Sequence, residues 1–290
     1  MKIRVSTGEI ETLVLRTGSR YTDGTVAPRV RTPSPRPWAV LLALFLPAAC
    51  QPNLDIGGWT CSEDGSESTI PKETAPVTLP WSTGFENRYC DYTELAGFCY
   101  AIDSASYELV TSPVHSGDYA AAFTVRTADG GESQARCVRQ GELPTAAYYG
   151  AWYYITEAAS SPTNWNLFHF RGGSNLPLAP GFLDVSLVTE NDALRVAVFG
   201  MRHRALADAA DSPAIPIGEW FHVQLYLKRA SGTDGEVALY VNDQEVFDAK
   251  NVTTDDGASL GLWFLGNLAT DLTPSDATLY VDDVTISETL

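Results

Sequence analysis

Trp220-Phe221-His222-Val223-Gln224-Leu225-Tyr226-Leu227-Lys228-Arg229 decides the fold. Phe221, Val223, Leu225 and Leu227 alternate with His222, Gln224, Tyr226 and Lys228. Successive side chains of a strand point to opposite faces, so this period of two predicts one dry face and one wet face. The turn Ser231-Gly232-Thr233-Asp234-Gly235 follows, and the alternation resumes in Glu236–Val241, which predicts a hairpin. The same texture fills the chain from Trp81 onward. Candidate strands are Tyr107–Thr111, Tyr119–Thr127, Gln134–Gln140, Gly150–Thr156, Asn164–Arg171, Phe182–Thr189, Ala193–Phe199, Ser259–Leu265 and Ala277–Ser287. Glu190-Asn191-Asp192 predicts a second hairpin, and Asn242-Asp243 and Asp129-Gly130-Gly131 supply further turns. Helical periodicity is confined to a short stretch near Ala205–Ala210. So many short strands in one domain must close into a barrel or split into two packed sheets. The expected class is all-β, an antiparallel two-sheet sandwich of jelly-roll type over residues 81–290.

The N-terminal part reads differently. Trp38–Ala49 is an apolar run after the basic, proline-rich Arg29–Arg36. It is too short to span a bilayer, which takes about 20 residues, and its length suits the apolar core of a secretory signal. Ala48-Ala49 are the small residues that precede a cleavage site. Residues 1–49 are therefore set apart as a signal peptide, longer than needed before Pro33. The cysteine after the alanines resembles the lipobox of bacterial lipoproteins, although Pro47 stands where that motif prefers Leu or Val. The resemblance implies lipid on Cys50 and a place in the cell envelope, as an outer-membrane lipoprotein or a secreted protein. Residues 50–80, rich in Ser, Thr, Glu, Pro and Gly, are expected to form a disordered tether.

Without residues 1–49 the chain carries 12 basic and 33 acidic residues, a net charge of −21. That balance argues against nucleic acid and anionic membrane surfaces as partners, and leaves the membrane to a lipid anchor alone. Cys61, Cys90, Cys99 and Cys137 form an even set in an exported chain, which reads as two disulfides. Cys90 and Cys99 are close in sequence and are expected to pair, leaving Cys61 for Cys137.

The alternation also sorts chemistry. His222, Gln224 and Tyr226 share the polar face of one strand, and Tyr240 falls on the polar face of the next. Trp165, His169 and Arg171 are in phase on Asn164–Arg171. Aromatic rings stack on sugars, and amide, imidazole and guanidinium groups meet hydroxyls and carboxylates. If these strands are neighbours, the residues form one glycan-binding face. A merely solvated sheet face gives the same pattern.

Ser116-Gly117-Asp118-Tyr119-Ala120-Ala121-Ala122-Phe123, the Trp220 hairpin and Tyr280-Val281-Asp282-Asp283-Val284-Thr285-Ile286 together resemble the strands of concanavalin A-like jelly rolls. That superfamily holds lectins, glucanases and polysaccharide lyases, so the resemblance implies a fold and leaves the activity open. The first expectation is a lectin-like, surface-anchored glycan-binding module. The alternative is a lyase that cleaves a uronate-containing glycan by β-elimination, and a structural envelope protein comes third. In the lyases an Arg strand, a Gln-x-His strand and a Tyr do the work. Arg139-Gln140-Gly141-Glu142-Leu143 and His169 in Asn166–Phe170 stand nearest to the first two. Tyr226 is a candidate for the phenol, because the Tyr motif of alginate lyases is missing. The paired carboxylates of the glucanases are missing as well. The resemblance also implies a structural calcium between Glu86 and Asp282 or Asp283, in Gly84-Phe85-Glu86 and Asp282-Asp283-Val284.

Overall fold

The computed structural model describes residues 78–93, 97–127, 131–172, 183–200, 204–205, 209–254 and 261–290. The expected signal, Cys50, Cys61 and most of the tether lie outside them.

The described elements are β1 (Trp81–Thr83), α1 (Cys90–Thr93), β2 (Phe98–Ile102), β3 (Ser106–Val110), β4 (Ala120–Arg126), β5 (Glu132–Gly141), β6 (Ala146–Ile155) and β7 (Asn164–Gly172). They continue with β8 (Leu183–Glu190), β9 (Ala193–Gly200), β10 (Arg204–Ala205), β11 (Trp220–Lys228), β12 (Gly235–Val241), β13 (Gln244–Val252), β14 (Gly261–Thr270) and β15 (Asp276–Ser287). One sheet runs β13-β12-β11-β6-β15-β4-β3, with β1 also on β15; the other runs β10-β9-β8-β7-β14-β5-β2. All pairings among the described strands are antiparallel, as the expected sandwich requires.

The two inner faces make one apolar core. Phe221, Val223, Leu225 and Leu227 of β11 are fully buried, as their phase demands. Tyr149 and Tyr153 of β6 meet Phe168, Phe170 and Trp263 from the facing sheet, with ring centroids 4.9–5.9 Å apart. Burying each such side chain contributes about 1.5–3 kcal/mol. Both expected hairpins form: Glu190 pairs Ala193, and Lys228 pairs Glu236. Asn191 and Asp192 take φ of 52° and 60°, which these two residue types tolerate.

Several local expectations give way. Asn242-Asp243, with φ of 49° and 63°, is the expected turn, but it leads into β13, a strand not legible in the sequence because it is polar and largely exposed. Where a helix is expected near Ala205–Ala210, the described residues show β10 up to Ala205 and a 3-10 turn at Ala209–Asp211. Cys99 bonds to Cys137, not to Cys90, because β2 and β5 set the two residues directly opposite each other. Cys90 is also disulfide-bonded, and its partner lies outside the described residues.

Candidate functional site

The outer face of the seven-stranded sheet carries a connected polar cluster. Arg136 of β5, Asn166 and His169 of β7 and Asp184 of β8 all point outward, since their neighbours Ala135, Cys137, Trp165, Phe168, Phe170 and Val185 fill the core. Arg136 Nη2 donates to Asn166 Oδ1 at 2.6 Å. Asn166 Nδ2 donates to Asp184 Oδ1 at 3.0 Å and to the Phe168 carbonyl at 2.8 Å. His169 Nδ1 bonds the same Asp184 oxygen at 2.6 Å. An ionised carboxylate only accepts, so Nδ1 carries the proton and Nε2 is the basic nitrogen. Phe264 of β14 roofs the cluster, with its ring 5.2 Å from that of His169 and 5.7 Å from the Arg136 guanidinium.

Two backbone features make the cluster possible. Leu167 is an extra residue on β7: Asn166 faces Ser186 and Phe168 faces Val185, a bulge that flips the phase of the strand. Gly266 sits between Arg136 and the bulge with φ +136°, and a Cβ there would lie 2.5 Å from the Ala135 carbonyl. The missing side chain lets the Arg136 side chain cross β14 to Asn166.

Tyr100 of β2 lies opposite Arg136 in the register, and its hydroxyl donates to Gln134 Oε1 at 2.9 Å. Burial raises its pKa, and the Arg136 guanidinium opposes the rise. Burial lowers the pKa of Arg136, and Tyr100 and Asp184 oppose that. A groove of about 580 Å³ opens at one end of this face, lined by Asp184, Ser186, Val188, Phe199, Thr163 and Glu132 among others.

The residues expected from the sequence separate into three groups. His169 and Arg171 lie on this face. Trp165 does not: it is 1% exposed and donates from its indole nitrogen to Asn267 Oδ1 at 3.0 Å within the core. The β7 bulge breaks the strict alternation that had set it beside His169. Arg139 is likewise inward and fully buried, its guanidinium 4.4 Å from the Trp81 ring and donating to the Asp91 carbonyl. Arg136, three positions earlier and of opposite phase, takes the outward place. His222, Gln224, Tyr226 and Tyr240 share a face as expected, but on β11 and β12 of the other sheet. Tyr226 is therefore on the opposite side of the sandwich from His169 and is no partner for it. Arg136, Asn166, Asp184 and Tyr100 were missed; the arginine pair three apart on one strand was the available signal.

Glu86, Asp282 and Asp283 do converge. Glu86 Oε1 accepts the Asp118 and Tyr119 amides at 2.8 and 3.1 Å. Asp282 Oδ2 accepts the His115 and Ser116 amides at 2.9 and 3.1 Å, and its Oδ1 accepts the Asp283 amide at 2.7 Å. Calcium takes six to eight oxygens. Here N–H groups already face the carboxylates, and the described residues contain no group of three His, Cys, Asp or Glu able to hold an ion. Through these N–H groups the Glu86 and Asp282 carboxylates clamp the loop before β4.

No family model and no curated protein matches the chain. Solved structures do. Endo-β-1,4-glucuronan lyase from the fungus Trichoderma reesei superposes with a TM-score of 0.55 at 17% identity, covering 66% of this chain and 90% of that one. Alginate lyase vAL-1 from Chlorella virus gives 0.48 at 10% identity, covering 64% and 92%. Cellulose induced protein Cip1 gives 0.46 at 14%, covering 64% and 87%. The likeness is one of fold: the chain is an antiparallel two-sheet jelly-roll sandwich, as the glucuronan lyase is.

Proposed function

We propose that the protein is a polysaccharide lyase acting on a uronate-containing glycan, at the outer face of the seven-stranded sheet. The observation that carries this is the Arg136–Asn166–Asp184–His169 network. β-Elimination needs a neutralised uronate carboxylate, a base for the C5 proton and an acid for the leaving oxygen. Arg136 supplies charge for the carboxylate, and Asn166, whose two amide hydrogens go to Asp184 and the Phe168 carbonyl, holds that guanidinium in place through its Oδ1. His169 Nε2 takes the C5 proton; the C4=C5 double bond forms as the C4–O bond breaks, and the departing oxygen takes its proton from water. Tyr100 is the phenol nearest to Arg136 in register. The fold likeness to a glucuronan lyase supports the reading.

The test is ultraviolet absorbance of the unsaturated uronate product on glucuronan and alginate. His169→Ala should lower turnover by about 10²–10⁴-fold, the range for a lost acid–base group. Asp184→Asn should lower kcat while leaving KM in place, since it misdirects the imidazole proton. Wild type that yields no unsaturated product on any uronate polymer sinks the proposal.

A second reading is glycan binding without turnover. The outward positions of β14 favour it: they are Leu262, Phe264, Gly266 and Leu268, with no phenol or amine among them. Uronate binding with no product, weakened by Arg136→Ala, would establish it. Under either reading we place the chain in the cell envelope with a polysaccharide as partner, held by lipid on Cys50.

A further inference from the structure

We propose that the outer face of the eight-stranded sheet carries a second carbohydrate site, for a neutral pyranose, centred on Gly150. It does not depend on the lyase reading. β6 presents Tyr148, Gly150, Trp152 and Tyr154 outward, and the register sets Tyr226, Gln224, His222 and Trp220 of β11 beside them. Gly150 is the gap in this row. A Cβ there would lie 3.1 Å from His222 Nε2, 3.1 Å from Thr285 Oγ1 and 3.4 Å from Gln224 Cγ, so three side chains from β11 and β15 close over the glycine and floor a dip between the flanking rings.

The polar groups are poised for hydroxyls. The Gln224 side chain is mostly covered and makes no hydrogen bond to a described residue, while its amide atoms still touch solvent. An amide whose donor and acceptor are open to solvent exchanges water for the hydroxyls of a ligand. His222 turns Nδ1 toward Asp243 at 3.3 Å, which leaves Nε2 for the cradle. Acceptor, hydroxyl and amide together match the mixed donor and acceptor pattern of vicinal hydroxyls.

Aromatic walls stand on both sides. Trp152 is stacked with His115 at 3.9 Å and with His222 at 5.1 Å. Tyr148 packs with Tyr226 at 4.9 Å and with Tyr240 at 6.2 Å. Trp152 and Tyr148 are four residues apart on one strand, about 13 Å, so two aromatic groups flank Gly150.

Charge selects against a uronate here. The ionised groups bonded to these side chains are acidic: Asp243 to His222, Asp283 to His115 and Glu245 to Tyr240. Lys228, on the same face of β11, is held by Glu236 at 3.0 Å. A carboxylate at Gly150 would meet repulsion, whereas a neutral ring meets only hydrogen-bonding groups and aromatic faces.

The experiment titrates the full chain, carrying His169→Ala, with cellohexaose, laminarihexaose and mannohexaose and with a glucuronan hexamer. Tryptophan fluorescence and calorimetry read the binding. At least one neutral hexamer should bind, and Gly150→Ala and Gln224→Leu should each weaken it about tenfold. Binding of the glucuronan hexamer, and product formation by the same two variants with His169 restored, should stay at the parental level. If Gly150→Ala lowers the melting temperature, Gln224→Leu decides alone. No binding by any neutral hexamer overturns the proposal, as does neutral binding unchanged in both variants. Self-association of the chain that these substitutions abolish also overturns it, by assigning the face to a second copy.

Discussion

His222 shows how one side chain serves structure and, in the site inferred above, binding. Its imidazole is half-buried between Trp152 and β12, and burial lowers its pKa below the usual 6.5, opposed by Asp243 and Asp283 and reinforced by His115. The unfolded chain therefore takes up a proton near 6.5 that the folded chain resists. A depressed folded pKa means stability is whole above the unfolded value and is lost as pH falls toward the folded one. The melting temperature of wild type is expected to fall from about pH 7 to about pH 5. In His222→Asn the fall should be shallower. Parallel melting curves for the two proteins would exclude burial of this imidazole as the cause.

At the scale of elements, β7 and β14 shape the first site. The Leu167 bulge turns Trp165 inward while His169 and Arg171 point outward, and Gly266 opens the way for Arg136. Gly266→Ala would drive a Cβ against the backbone of β5 and strain a φ of +136°. It should destabilise the domain by about 1–3 kcal/mol, read by denaturant unfolding. Activity should fall further than stability accounts for, because Arg136 is displaced. The β2–β5 pair is covalently closed at Cys99 and Cys137, a sequence separation of 38 residues. Cys137→Ser is expected to lose about 2–5 kcal/mol. Non-reducing peptide mapping should recover Cys99 linked to Cys137; a peptide joining Cys90 to Cys99 would contradict the register of these strands.

Across the whole molecule, the sandwich has two outer faces of different chemistry. One gathers Arg136, Asn166, His169 and Asp184, the site proposed for an anionic sugar, and the other gathers the aromatic rings around Gly150, the site proposed for a neutral one. A chain held at a polysaccharide-rich surface gains avidity from two such sites if one polymer, or two neighbouring ones, reaches both. The lipid proposed on Cys50 would hold the chain at such a surface. Metabolic labelling with a palmitate analogue should mark wild type and leave Cys50→Ser unmarked; equal labelling of both would remove the anchor from the scheme.

The sequence by itself determined the class of fold, because period-two alternation and turn residues are local signals that each strand carries within itself. Phe221, Val223, Leu225 and Leu227 declared their face without a neighbour, and so did His222, Gln224 and Tyr226. It also located His169 and Arg171 on a polar face. It did not determine which strands lie in which sheet, so His222 and His169 read as companions when the core separates them. Phase failed at β7, where one inserted residue inverts the strand and hides Trp165. At β5 it pointed to Arg139 and passed over Arg136, because Ala135, Cys137 and Val138 around the two arginines do not alternate with polar residues. Only the tertiary structure decided these points. Strand order, bulges and the Cys99–Cys137 pairing arise from contacts between segments far apart in sequence, and no local pattern encodes which partner a sheet edge will find.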